Sequence, residues 1–399
     1  MVAALTILFW ILVGAVVYTY IAYPLLIAAI ARLKHGKEQP QLPENLPHVT
    51  LFVTAFNEER FVDEKIANTH TLDYPSDRLH LIWVTDGSDD QTNQLLAKYS
   101  DVKVLFEPER KGKVHAMKRG LQYIDTEIVI FTDANTMLSP ESVKEMVRLF
   151  ENPKIGCVAG EKRISRDSRE NAASSGEGAY WRYESWIKHN DAIAGSAIGA
   201  AGELFAMRRS LYQPISDNTL LDDFEISLRI ALTGYKIGYS PLACAIERPS
   251  ANIGEEMKRK VRIAAGGIQT MLRLGGLFNF FRHPMLTFQY VSHKVLRWVV
   301  VPLAMVLIIP LNIYLCLANG FVFSNIYALI LMLQAVFYAF AFLGFVLQNK
   351  KINASWIYFP YYFYLANKAM WMGLWRFCCN SQSVNWERAE RAERADSQG

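Results

Sequence analysis

Three short acidic-polar clusters hold the residues of this chain best suited to chemistry. They are Thr54-Ala55-Phe56-Asn57-Glu58-Glu59, Thr85-Asp86-Gly87-Ser88-Asp89-Asp90 and Thr132-Asp133-Ala134-Asn135. A carboxylate cluster built from them needs a cation. Asp133-x-Asn135 offers two hard oxygen ligands for Mg²⁺ or Mn²⁺ bridging a diphosphate. Alone, that tripeptide is a common turn, and its place in the series gives it weight. Further along, Leu221-Asp222-Asp223-Phe224-Glu225 puts two adjacent acids at the start of a helical pattern, where they also serve as capping chemistry. The small residues of Gly199-Ala200-Ala201-Gly202-Glu203-Leu204-Phe205-Ala206 allow close backbone approach to a ligand, or a tight turn.

The elements that must position these residues follow from the apolar pattern. HVTLFVT, LHLIWVT, VKVLF, EIVIFT and IGCVA predict strands, and segments 58–72, 91–100, 112–124 and 140–151 predict helices. That alternation implies an α/β domain with a mostly parallel sheet and helices on both faces. Ligands of such sheets bind beyond the carboxyl ends of the strands, which is where the three clusters fall.

The ordered motifs over residues 47–297 resemble the family 2 glycosyltransferases of GT-A fold, in the membrane-embedded branch that makes poly-N-acetylglucosamine, hyaluronan, chitin and cellulose. The resemblance implies an inverting transferase that uses a UDP-sugar donor. It implies that Ala55, Asn57 and Glu58 hold the uracil and ribose, and that Asp86 reads the uracil edge. Thr85 stands where the family often has a further Asp. Lys113, in Gly112-Lys113-Val114-His115-Ala116, matches the family's Gly-Lys turn near the nucleotide. Asp133 and Asn135 stand at the D-x-D metal motif, with an amide for the last carboxylate. Gly202, Glu203 and Asp222 fall in the acceptor region, and Asp223 matches the catalytic base. Arg262, in Arg259-Lys260-Val261-Arg262-Ile263, matches the Arg of Q-x-x-R-W and is expected to pair with the diphosphate. Arg259 replaces the Gln and Ile263 the Trp of that motif, which puts processive polymerisation in question. Tyr180, Trp181, Tyr183 and Trp186 lie on a predicted helix. They fit either a sugar-stacking surface, with Trp181 toward the acceptor, or a core stripe. Ser292-His293-Lys294-Val295-Leu296-Arg297-Trp298 also resembles this branch.

Charge is distributed unevenly over the 399 residues: residues 2–31 and 298–349 contain no charged side chain, while 42 Lys+Arg and 38 Asp+Glu lie mostly between them. The pattern excludes a disordered chain and a purely soluble one. It divides the sequence into an anchor (1–31), a catalytic domain (47–250), amphipathic interface helices (251–297), a membrane region (298–377) and a charged tail (378–399). Residues 255–277 read as a basic amphipathic helix that fits either the bilayer surface or a core position with a solvated basic face. Arg32, Lys34 and Lys37 after the first apolar run, and Lys350 and Lys351 after the spans 298–318 and 322–348, place the domain on the cytoplasmic side of an inner or plasma membrane. The stretch 354–377, interrupted by Asn367-Lys368, fits a third C-terminal span or an interfacial helix. A net charge of +4 without an aromatic-basic stripe does not suit nucleic acid, and five scattered cysteines form no zinc or disulfide pattern.

The leading expectation is a multi-pass membrane enzyme that extends a β-linked exported polysaccharide. The alternative is a non-processive transfer of one sugar to a lipid-linked acceptor. A homo-oligomer or an auxiliary membrane subunit would complete an export path. An inactive scaffold conflicts with the retained Asp86, Asp133, Asp223 and Arg262.

Overall fold

The computed structural model describes residues 1–34, 40–165, 172–250, 252–320, 322, 325–347 and 355–379. Lys37, Lys350, Lys351 and the charged tail beyond residue 379 lie outside them.

Strands β1 (Val49–Ala55), β2 (Leu79–Asp86), β3 (Val102–Glu107) and β4 (Ile128–Asp133) form the expected parallel set. With β5 (Met137–Leu138), β6 (Ile155–Ile164), β7 (Leu204–Arg208) and β8 (Lys236–Glu247) they make one sheet in the order β3-β2-β1-β4-β7-β6-β8-β5. The sheet is mixed, because β7 runs antiparallel to both β4 and β6, and β5 antiparallel to β8. Every residue of β1 is buried, as a strand covered on both faces requires. Phe52 points into one core with Val84, Met117 and Phe205. Leu51 and Val53 point into the other with Ile66, Trp83 and Met146.

The helices are α1 (Val2–Val17), α2 (Tyr23–Lys34), α3 (Val62–His70), α4 (Thr92–Leu96), α5 (Lys113–Leu121), α6 (Ser142–Phe150) and α7 (Ala172–Ala194). They continue with α8 (Asp222–Leu232), α9 (Ile253–Arg273), α10 (Pro284–Tyr290), α11 (Val301–Ala318), α12 (Ile326–Leu347) and α13 (Ser355–Cys378). A π-helical turn joins α1 to α2, and a π-helical stretch, Val291–Val300, joins α10 to α11. Three helices among the described residues are long and apolar enough to cross a bilayer: Val2–Lys34, Pro284–Ala318 and Ile326–Leu347.

The second of these begins well before the uncharged stretch that predicted it, because its charged residues face protein. His293 Nδ1 lies 2.6 Å from Asp191 Oδ2, and Tyr23 Oη donates to Asp191 Oδ1 at 2.5 Å. Lys294 Nζ and a nitrogen of Arg297 each donate to Glu184 at 2.6 Å. Burial alone would raise the Glu184 carboxyl, but Lys294, His293 and Arg297 hold it well below its usual range. This network ties α7, which carries the Tyr180-Trp181-Tyr183 cluster, to two of the candidate spans.

Helix α13 runs unbroken through Asn367-Lys368. Asn367 is buried, with its side chain 3.5 Å from Tyr20 Oη, while Lys368 is exposed. At Gly373 an added Cβ would stand 2.4 Å from Ala264 and 2.9 Å from the Ala265 backbone, so α13 packs directly on α9.

Candidate active site

Strand register brings the sequence clusters together. Ala55 pairs with Thr85, and Thr54 with Asp133, so three acidic-polar strand ends stand at one level. Leu204 of β7 pairs with Thr132, which delivers Gly202-Glu203 to the same edge, and Thr132 Oγ1 donates to the Glu203 carbonyl at 3.0 Å.

At the ends of β1 and β2, Asn57 adopts φ 54° and locks onto the β2 loop. Its Nδ2 donates to Asp89 at 2.6 Å, and its Oδ1 accepts from the Asp89 amide at 3.0 Å. Glu58 is buried, with its amide donating to Thr92 Oγ1. Thr85, in place of an Asp, donates to Asn93 Oδ1 at 2.8 Å. Asp86 directs both carboxylate oxygens to main chain, accepting from the Lys111 amide at 2.9 Å and the Gly112 amide at 2.7 Å. Gly112, at φ +96°, supplies a left-handed turn that strains other residues, and α5 starts immediately after it with Lys113.

Lys113 is thereby placed at the centre of the acids. Its Nζ lies 3.0 Å from Asp133 Oδ1 and 3.8 Å from Asp222 Oδ2. A Cβ on Gly202 would stand 3.4 Å from Lys113 Nζ and 3.5 Å from Asp223 Oδ2, so that glycine borders both groups. Burial opposes the charge on Lys113, yet Asp133, Asp222 and Asp223 together raise its pKa. Burial likewise raises the Asp133 carboxyl, with Lys113 opposing the shift. Asp223 occupies the first turn of α8. Its pKa is pushed up to about 7, first by burial and then by Asp222, with Lys113 pulling the other way and Glu203 adding to the rise. A carboxylate poised there is suited to take a proton near neutral pH.

Asn135 stands two residues past the end of β4, and Thr136 Oγ1 lies 3.4 Å from its Oδ1. Among the described residues no group of three or more His, Cys, Asp or Glu side chains could hold a metal by itself. Asp133 and Asn135 fit an ion that takes its remaining ligands from phosphates and water, as Mg²⁺ commonly does.

Arg262 is partly buried on α9 and makes no hydrogen bond or ion pair with the described residues. One turn further, Gly266 packs on Leu220 and Leu221, immediately before Asp222. One turn earlier, Arg259 lies 3.9 Å from Glu203. Helical spacing therefore places Arg262 between the Glu203 and Asp222 segments. Trp181 has Lys162, Lys188 and Arg259 within 5.0, 5.8 and 6.0 Å of its ring.

Several site residues escaped the sequence reading. Lys162, buried in β6, bridges Glu203 and Glu247. Glu247 also accepts from Thr136 Oγ1. Lys65, fully buried on α3, donates to Thr132 Oγ1 at 3.0 Å and to the Thr136 carbonyl at 2.5 Å, bracing the Asp133–Asn135 turn. Burial lowers its pKa to about 7, against the pull of Asp133. Neither VDEKI nor GEKRI sets its lysine apart, and the partners lie too far along the chain to be guessed.

Comparison with known proteins agrees with this geometry. A family model described as "Glycosyltransferase like family 2" matches residues 47–266. Poly-beta-1,6-N-acetyl-D-glucosamine synthase of Staphylococcus aureus (strain COL) is 26% identical over 240 residues, 58% of this chain and 57% of the relative. The synthase of the same name from Staphylococcus epidermidis is 26% identical over 276 residues, 67% of this chain and 64% of the relative. The chain thus spans less than two thirds of the length of these curated relatives. Among solved structures, the mannosyltransferase PcManGT from Pyrobaculum calidifontis, in complex with GDP-Man and Mn²⁺, superposes with a TM-score of 0.66 at 20% identity. That match covers 96% of this chain and 100% of the other.

Proposed function

The chain belongs to the glycosyltransferase-like family 2, and from that premise we infer that it moves a sugar from a UDP-sugar to the hydroxyl of a growing glycan, with inversion. The observation that carries this reading is the place of Asp223, in the first turn of α8 and bordering Gly202 beside Lys113 at the strand-end cluster. The acceptor oxygen would bond to the anomeric carbon as its proton passes to Asp223. The carbon–oxygen bond to the diphosphate breaks on the opposite side, its electron pair leaving with UDP. Attack from the face away from the leaving group turns an α-linked donor into a β-linked product. Ala55, Asn57, Glu58 and Asp86 would border the uridine with Lys113 nearby, and Arg262 would offset charge on the departing diphosphate. Asp133 and Asn135 would hold Mg²⁺ or Mn²⁺, which would neutralise that leaving group when bound. Gly202, Glu203, Asp222 and Trp181 would line the acceptor side.

The relatives' name supports an exported β-linked polysaccharide as product and UDP-N-acetylglucosamine as the first donor to test. The three apolar helices support an integral-membrane protein. Arg32 and Lys34 support a cytoplasmic site. Purified protein supplied with Mn²⁺ or Mg²⁺ and a panel of UDP-sugars should release UDP, with product length separating polymerisation from single addition. No UDP release with any donor in the presence of glycan or lipid-linked acceptors would overturn the reading.

A further inference from the structure

We propose that Lys113 is a built-in counter-ion that occupies the carboxylate a metal must take, so that metal and donor arriving together transfer its ammonium from Asp133 to the Asp222–Asp223 side. The inference rests on the metal-dependent transfer proposed above. Two distances carry it: Lys113 Nζ is 3.0 Å from Asp133 Oδ1 but 3.8 Å from Asp222 Oδ2. The near contact is a formed charge-assisted bond, and the far one has yet to close.

Asp222 is ready to receive it. The residue is 8% exposed, and its buried Oδ2 accepts no hydrogen bond from the described residues, its ion-pair contact with Lys113 being the long one. Leaving such an acceptor unmet is costly. A shift of about 1 Å at the tip of Lys113 would bring that contact to ordinary charge-assisted length. Gly202 adds no side chain of its own beside the two groups: a Cβ there would stand 3.4 Å from Lys113 Nζ and 3.5 Å from Asp223 Oδ2. The backbone at Lys113 is fixed by the Asp86 bonds to Lys111 and Gly112, so the movement is confined to the side chain.

Metal alone competes poorly with an ammonium already on Asp133. Metal with a diphosphate brings further ligands and wins. Lys113 then stands beside Asp222 and Asp223, on the acceptor side. A divalent metal and the donor's diphosphate together leave the net charge of the site unchanged, and metal without donor is discouraged from binding.

The test is Mn²⁺ binding to the full chain in detergent, followed by electron paramagnetic resonance, with and without UDP. Without UDP, Lys113→Met should bind Mn²⁺ about tenfold or more tightly than the unmodified chain, and Lys113→Arg should bind as the unmodified chain does. The gain should vanish in Lys113→Met combined with Asp133→Asn, which ties it to that carboxylate. Equal or weaker Mn²⁺ binding by Lys113→Met, with an unchanged melting temperature, would overturn the proposal. Absence of UDP-promoted Mn²⁺ binding in the unmodified chain would instead defeat the underlying metal reading, and the proposal with it.

Discussion

Trp298 lies where a side chain on Gly267 would have to go: a Cβ there would stand 2.0 Å from the indole ring. The same indole sits 5.3 Å from the ring of Phe224, the neighbour of Asp223. A residue of a candidate span thus supports the helix turn that carries the proposed base. Gly267→Ala should force the indole aside, destabilise the protein by about 1–3 kcal/mol and lower transfer. The melting temperature and UDP release check both effects, and a fully active, equally stable variant would remove Trp298 from that role.

Asp223→Asn should cut transfer by about 100- to 10,000-fold, the range of a lost general base, while UDP binding holds. Unimpaired turnover would sink the base assignment.

The rate should also fall on acidification through pH 7, as Asp223 gains its proton. Stability should move the opposite way. A carboxyl whose folded pKa is raised binds protons more readily folded than unfolded. Its contribution is therefore greatest at low pH and is lost as pH rises toward 7. Thermal melts of the native and Asp223→Asn chains from pH 5 to 8 should converge at the acid end.

Asn135→Asp should keep or raise activity and tighten Mn²⁺, because a carboxylate replaces an amide oxygen at the same place. Metal titration of UDP release measures this. Complete loss would exclude Asn135 as a ligand.

Arg262→Ala should leave the melting temperature unchanged, since the side chain pairs with none of the described residues. It should weaken donor binding, seen as a raised KM for the UDP-sugar. A lowered melting temperature with an unchanged KM would make Arg262 a structural residue.

Lys162→Met should behave in the reverse sense. It leaves Glu203 and the almost fully buried Glu247 without their shared ammonium, at a cost of about 3–5 kcal/mol. A calorimetric melt would register the loss even without substrate.

Much of this site was legible because it depends on short-range order. Strand, turn and acid recur together at Ala55, Asp86 and Asp133, and parallel pairing does the rest. The position of Asp223 was legible from its motif, but its pKa was not, because burial and Asp222 set it. The antiparallel direction of β7 escaped the reading because it is set by its neighbours β4 and β6 rather than by its own residues. Lys162 and Lys65 escaped for another reason: their partners at Glu203, Glu247 and Thr132 are contributed by remote segments. The pattern 292–298 was noticed in the sequence. Only the structure shows that His293, Lys294 and Arg297 turn to α7 while Trp298 turns to Gly267 and Phe224.

The ionic knot around Glu184 and Asp191 bears on how a product would travel. Its members come from α7 and two candidate spans, and separating them would strand charges in the interior. On the proposed reaction, the domain is therefore riveted to its candidate membrane helices rather than hinged upon them. A glycan extended repeatedly there would itself do the moving, advancing past a stationary workbench by one sugar after each transfer.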